Sequence, residues 1–147
     1  MSAPRYLLDT NILVHFVRGS EVWTRVRDAY HLLTAEPRPL VSVVTVGELR
    51  SLAIQWKWAG RKLDQVEFAL ASFEAYDISA PELIRTYALI DADCEARGQP
   101  MGKNDVWIAA TAAVTGARLL TTDRDFDRLY PHLIDRDWID PNATSVP

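Results

Sequence analysis

Cysteine is nearly absent from this 147-residue chain: Cys94 stands alone, so no internal disulfide can form. That scarcity points to a reducing compartment and a cytoplasmic location. Long apolar runs are missing too. None approaches the ~18 residues that a membrane span needs, and residues 1–5 are polar, without the apolar stretch of a secretory leader. Histidine is sparse, and His15, His31 and His132 are scattered; with one cysteine they make no set of zinc ligands. Neither a Walker nor a dinucleotide-binding glycine loop is present, nor a G-x-S-x-G nucleophile elbow. An excess of positive charge is also lacking, since the net charge is −4 and the isoelectric point about 5.3. A protein that holds nucleic acid by charge alone is usually basic. That objection weakens where the acids gather around a cation, because a bound ion inverts the local field.

What is present fits one folded domain over residues 1–147. The chain is 48% hydrophobic and 24% charged, close to the average for a globular protein, which excludes disorder. Arginine greatly outnumbers lysine. It is the better fork for phosphate, although scattered arginines also serve simply to solvate a surface.

Short apolar runs alternate with longer helical ones. Residues 6–8, 40–44 (LVSVV), 75–78, 118–121 (RLLT) and 138–139 read as strands. Gly19, Gly60, Gly98 and Gly116 each follow a helical pattern, where a left-handed residue ends a helix. Ser79 to Glu82 and Thr45 to Glu48 have the spacing of capping boxes, Pro81 suits a first helical turn, and Asn104 reads as the N-cap of a helix from Asp105 to Thr115. One face of the helix after Pro81 carries Leu83, Tyr87, Ile90 and Cys94. Strand–helix alternation predicts an α/β fold, a mostly parallel sheet covered on both faces. The alanine-rich helix over residues 106–114 is expected to lie close against that sheet.

Ligands of such sheets bind beyond the carboxyl ends of the strands, where strand order reverses. Four acids fall there: Asp9 after the first strand, Glu48 in the first turn of the helix after the second, Asp105 at the start of the alanine-rich helix, and Asp123 after the fourth strand. Each has an ordinary reading as well. Asp9 can cap a helix, Glu48 can complete a capping box, Asp105 can offset a helix dipole, and Asp123 can shape a turn. The set is harder to dismiss. Two carboxylates ~4 Å apart repel by about 4 kcal/mol at an effective dielectric of 20, so a fold that gathers four needs protons or cations. Mg²⁺ and Mn²⁺ suit a site of carboxylates and water.

Four blocks in this order resemble the PIN-domain nucleases, and among them the VapC-type toxins: Leu7-Leu8-Asp9-Thr10-Asn11, residues 42–49 (SVVTVGEL), residues 104–110 (NDVWIAA) and residues 120–126 (LTTDRDF). The resemblance implies a PIN-like three-layer α/β/α sandwich and Mg²⁺- or Mn²⁺-dependent hydrolysis of RNA phosphodiester bonds. It further implies a cognate VapB-type antitoxin and a toxin homodimer. Asp9, Glu48, Asp105 and Asp123 are then direct or water-mediated metal ligands. Asn11 would orient Asp9 or a water and Thr121 would orient Asp123, or both would serve as ordinary cap and turn residues. Asp125 and Asp127 read as surface residues of a short helix. Trp56 and Trp58, two apart on one expected helix, cannot share a face; one should point outward and mark that helix as a contact for antitoxin or dimer, with Arg50 and Arg61 nearby as guides for RNA. Two rival readings stand beside this one. A haloacid-dehalogenase-type phosphatase also uses an Asp after its first strand, but it needs a second acid where this chain has Asn11. A PIN-like scaffold could bind RNA or a partner without cutting.

Overall fold

The computed structural model describes residues 4–142. The first three residues of the polar N-terminal stretch, and the last five of the expected single domain, lie outside it. Five strands form one sheet in the order β3-β2-β1-β4-β5, every neighbouring pair parallel. In sequence these are β1 (Tyr6–Leu8), β2 (Leu40–Ser42), β3 (Glu74–Tyr76), β4 (Arg118–Thr121) and β5 (Asp135–Trp138). Helices α1 (Thr10–Arg18) and α2 (Glu21–Tyr30) connect β1 to β2, α3 (Val43–Gln55) and α4 (Arg61–Ser72) connect β2 to β3, and α5 (Pro81–Ala96) and α6 (Lys103–Thr115) connect β3 to β4.

Two apolar clusters, one on each side of the sheet, make the three layers. Successive strand side chains point to opposite faces. Leu8, Val41 and Leu120 therefore join Leu13, Phe16, Leu49 and Val66 of α1, α3 and α4, while Leu7, Leu40 and Leu119 join Leu83, Ile90, Ile108 and Ala109 of α5 and α6. Burial on both faces explains why these strands read as continuous apolar runs. The alanines of α6 lie flat against the sheet as expected; Ala109 and Ala110 are fully buried.

Several boundaries differ from the sequence reading. The second strand stops at Ser42, and Val43 and Val44 begin α3 instead. The Ser42 hydroxyl accepts from the Val44 N–H at 3.1 Å, and that cap outweighs the few tenths of a kcal/mol that β-branching costs in a helix. Glu48 consequently sits in the second turn of α3, and the capping box from Thr45 does not form. The third strand ends early because the Asp77 carboxylate accepts from the N–H groups of Ile78 and Ser79, folding the chain into a turn. That leaves Ala80, with no side-chain cap, ahead of Pro81 at the start of α5. Gly102, and not Asn104, is the N-cap of α6. Gly60 begins α4 where a helix end was expected; its φ of 58° and ψ of −123° suit glycine alone. The fifth strand runs over the polar residues Asp135–Trp138, at the sheet's edge and without an apolar signature.

Candidate metal centre at the carboxyl edge

The strand order reverses between β1 and β4, so the crevice expected of such a sheet opens beyond their ends. Asp9 follows β1 directly and is only 3% exposed. It caps α1: one carboxylate oxygen accepts from the Thr10 N–H at 2.8 Å. The other accepts from the Thr121 hydroxyl at 2.7 Å and from the Asn11 side-chain amide at 3.1 Å. Thr121 ends β4, and its hydroxyl oxygen also accepts from the Asp123 N–H at 2.9 Å. Asn11 reaches across as well, accepting from the Thr122 N–H at 3.2 Å. Asn11 and Thr121 thus tie the ends of the two central strands together around Asp9.

The other acids arrive on separate elements. Glu48 projects from α3, where its carboxylate accepts from the Thr10 hydroxyl at 2.6 Å; that hydroxyl also hydrogen-bonds Thr45 at 3.1 Å. Asp105 stands in the first turn of α6. Asp123 caps a short 3-10 helix (Arg124–Leu129) by accepting from the Asp125 N–H at 2.8 Å. The Trp138 indole N–H, donating to the Thr122 carbonyl at 3.0 Å, braces this turn from β5.

Asp9, Glu48, Asp105 and Asp123 all line one cleft of about 440 Å³. Carboxylate oxygens of Asp105, Asp123 and Asp125 lie within 4.8 Å of one another. Asp125 is exposed and on a short helix, as the sequence suggests, yet it also belongs to this cluster. The Asp123-x-Asp125 spacing across a capped tight turn was the signal for it. Asp127 instead turns away to Arg136, at 2.8 Å. Nothing in the sequence marks Thr10, because a threonine beside a helix N-cap carries no chemical signature.

No arginine or lysine forms a salt bridge with any of these five acids among the described residues. The titration of Asp105 and Asp9 reflects that. Burial pushes the Asp105 carboxyl up to about 7, helped by the charges of Asp9, Asp123, Glu48 and Asp125. Burial likewise raises Asp9 to about 6, with Asp123 and Glu48 adding to it and the Thr121 and Thr10 hydrogen bonds opposing it. Among the described residues no positive charge opposes either shift. The donors offered are hard carboxylate oxygens, a set suited to a divalent cation. His15 also borders the cleft, but its Nδ1 is engaged with the Ser20 hydroxyl at 2.9 Å.

The paired tryptophans differ from the sequence reading in one respect. α3 ends at Gln55, so they do not share a helix: Trp56 is its C-cap, Lys57 turns the chain with a φ of 56°, and Trp58 goes inward. Trp56 is the outward one, 44% exposed, and it borders the acid cleft. Arg50 is bound to Glu67 at 2.6 Å.

A parallel sheet between two helical layers, with uncompensated carboxylates at its switch point, defines a class of α/β proteins whose carboxyl edge is suited to a divalent cation. Within that class the chain belongs to the PIN-domain family, whose model matches residues 6–130. It is 28% identical to Ribonuclease VapC2 of Haemophilus influenzae, over 92% of this chain and 98% of that one. A shorter match, 37% identical, covers 58% of this chain and 67% of Ribonuclease VapC4 of Mycobacterium tuberculosis. Among solved structures it is similar to DNA-bound VapBC from Salmonella typhimurium, with a TM-score of 0.76 and 26% identity over 92% of this chain and 98% of that one.

Proposed function

We infer that this protein is a metal-dependent endoribonuclease that hydrolyses RNA phosphodiester bonds, and the toxin half of a VapBC-type toxin–antitoxin pair. The observation that carries the reading is the gathering of Asp9, Glu48, Asp105 and Asp123 from four separate elements onto one cleft with no cationic partner among the described residues. The similarity to proteins named Ribonuclease VapC, over nearly the whole chain, supplies the substrate class. VapBC structures among its relatives support a VapB-type antitoxin as partner, and a homodimer is part of the same reading. The lone Cys94 favours the cytoplasm, and no helix among the described residues is long and apolar enough to cross a membrane.

Asp9, Glu48, Asp105 and Asp123 would hold Mg²⁺ or Mn²⁺, directly or through water, with Asp125 within reach at the rim. Such an ion, when bound, supplies Lewis-acid polarisation of a phosphate oxygen and lowers the pKa of a water. The chain's own groups set the geometry. Thr121, Asn11 and the Thr10 N–H hold both oxygens of Asp9, and the Thr10 hydroxyl holds Glu48. Hydrogen bonds of this kind from behind a ligand fix its orientation. With no cation in the cleft, burial and its acidic neighbours put the Asp105 carboxyl at about 7, so an ion held there would replace a proton near neutral pH. The phosphatase alternative has no second acid to work with, because Asn11 occupies that place and is bonded to Asp9.

The test is cleavage of a mixed cellular RNA pool by the wild type and by Asp105→Asn, with Mg²⁺, with Mn²⁺ and with EDTA. Discrete fragments should form with either metal and vanish with EDTA or in the variant. Equal cutting by both proteins would sink the assignment. Metal binding without cleavage of any RNA would favour the scaffold reading.

A further inference from the structure

The cleft that the four acids line also carries an arginine and a tryptophan. There Arg18, the last residue of α1, places its guanidinium 4.7 Å from the centre of the Trp56 ring. Both residues border the same cleft as the four acids. Trp56 rests against Trp58, ring centres 5.4 Å apart at 59°, and Trp58 is buried at 9% exposure. The indole thus packs against both Arg18 and Trp58 and remains 44% exposed. Arg18 makes no salt bridge among the described residues. The other basic side chain lining the cleft, His15, has its pKa lowered by burial, by Arg18 and by Arg25, which favours its neutral form. Arg18 is therefore the principal cation among the described residues that line the cleft.

A large apolar ring left 44% exposed beside a cluster of acids forgoes the favourable burial of its surface. It is suited to a flat, apolar surface that arrives with its own negative charge. Single-stranded RNA offers that in each nucleotide, a base to stack and a phosphate to pair. Aromatic rings and arginine guanidinium planes are the usual platforms for unstacked bases, and arginine is the fork for phosphate. A basic segment of a protein partner would be drawn by the acids but repelled by Arg18. We propose that Arg18 and Trp56 form a nucleotide subsite, which holds the base and phosphate next to the scissile bond of a single-stranded RNA. This rests on the ribonuclease reading above. Stacking is tolerant of base identity, so the subsite raises affinity for single-stranded RNA without selecting a sequence.

The experiment is fluorescence anisotropy with a randomised, fluorescein-labelled RNA octamer, at low salt with Mg²⁺. The reference is full-length Asp105→Asn, which suppresses cutting. Trp56→Ala, Trp56→Phe and Arg18→Gln are added to it in turn, each with its fold checked by circular dichroism. Trp56→Ala should weaken binding roughly 5- to 100-fold, the range for loss of one base–aromatic stack, and Trp56→Phe should restore most of it. The penalty of Trp56→Ala should disappear when the octamer carries abasic riboses. Arg18→Gln should lower the slope of log affinity against log salt by about one. If the reference binds the octamer and both Trp56→Ala and Arg18→Gln bind it equally well, the subsite is wrong while the ribonuclease reading stands. Should Trp56→Ala fail to fold, Arg18→Gln and the abasic octamer still decide. Unchanged RNA affinity with lost binding of a protein partner would reassign the two residues to that partner. A reference protein that binds no RNA would take the ribonuclease reading down along with the subsite.

Discussion

The two edges of the sheet use the same kinds of residue in opposite ways. At the amino edge two acids are each paired with an arginine. Arg5, just ahead of β1, pairs with Glu74 at the start of β3, and Arg118, opening β4, pairs with Asp135 at the start of β5 at 2.9 Å. At the carboxyl edge Asp9, Glu48, Asp105, Asp123 and Asp125 face one another with no such pairing among the described residues. Charge on the first edge is settled within the chain. Charge on the second is left open, which costs stability and is what a site for an external cation requires. Residue type alone therefore says little about an acid's role; the presence or absence of a cationic neighbour separates the two uses.

The sharpest way to break the comparison is to neutralise one acid on each edge. Asp105→Asn should lower RNA cleavage by ~10²-fold or more, beyond the 10–100-fold typical of a residue behind a ligand. It should also raise the stability of the metal-free protein by about 1 kcal/mol, a melting shift of roughly 2–4 °C for a chain of this size. Thermal unfolding in EDTA checks the second part. A drop in melting temperature would mean that Asp105 is already compensated and that the edges do not differ.

pH and metal sharpen the same contrast. The carboxyls of Asp9 and Asp105 stand at about 6 and about 7 in the fold, against an ordinary value of 3.8. Between pH ~4 and ~7 the folded chain therefore holds more protons than the unfolded one, and stability falls as pH rises through that window. In EDTA the protein should melt higher at pH 5 than at pH 8. Saturation with Mg²⁺ or Mn²⁺ at pH 8 should recover about 2.7 kcal/mol at a hundred times the dissociation constant, or roughly 5–10 °C. A melting temperature that ignores both pH and metal would contradict the uncompensated edge.

Much of this contrast was legible in sequence, for identifiable reasons. β1 and β4 stand where the apolar runs end on Asp9 and Thr121, because burial on both faces leaves a run that only a polar residue can stop. The four acids were legible because a parallel sheet sends its carboxyl ends to one side. Other parts were hidden in contacts across the fold. β5 is polar, since an edge strand meets Arg118 and not a core. The end of β2 was masked by two valines that Ser42 captures into α3. Asp125 joins the cluster through the local turn that Asp123 caps, for which the Asp-x-Asp spacing is the one trace in sequence, and Trp56 borders the cleft only because α3 stops one residue before it. The arginine pairs of the amino edge were equally invisible, since Arg5 and Glu74 lie far apart in the chain.

Thr121→Val is a gentler way to disturb the carboxyl edge. It keeps the shape of the side chain but removes the hydroxyl between Asp9 and the Asp123 N–H. Cleavage should fall 10–100-fold, as for loss of a group that orients a ligand, and Thr121→Ser should recover most of it. Asp9 should also titrate higher, because the strongest influence holding its carboxyl down is the Thr121 hydrogen bond. The pH at which half-maximal activity is reached should therefore move up. An unchanged pH profile together with reduced activity would assign Thr121 to packing alone.

The smallest effect belongs to the amino edge. Glu74→Gln keeps the size of the side chain and removes the charge opposite Arg5. The two side chains are 50% and 31% exposed, so water screens the pair and its contribution is on the order of 1 kcal/mol or less. Arg5 retains its hydrogen bond to the Arg38 carbonyl at 2.9 Å, so the loss is partial even locally. Melting should drop by no more than about 2–4 °C, the difference should shrink further in high salt, and RNA cleavage should match the wild type. A larger drop that survives salt would show that the amino edge, too, holds its charges at a structural cost. The contrast would then lie in the cleft's shape and not in its missing cation.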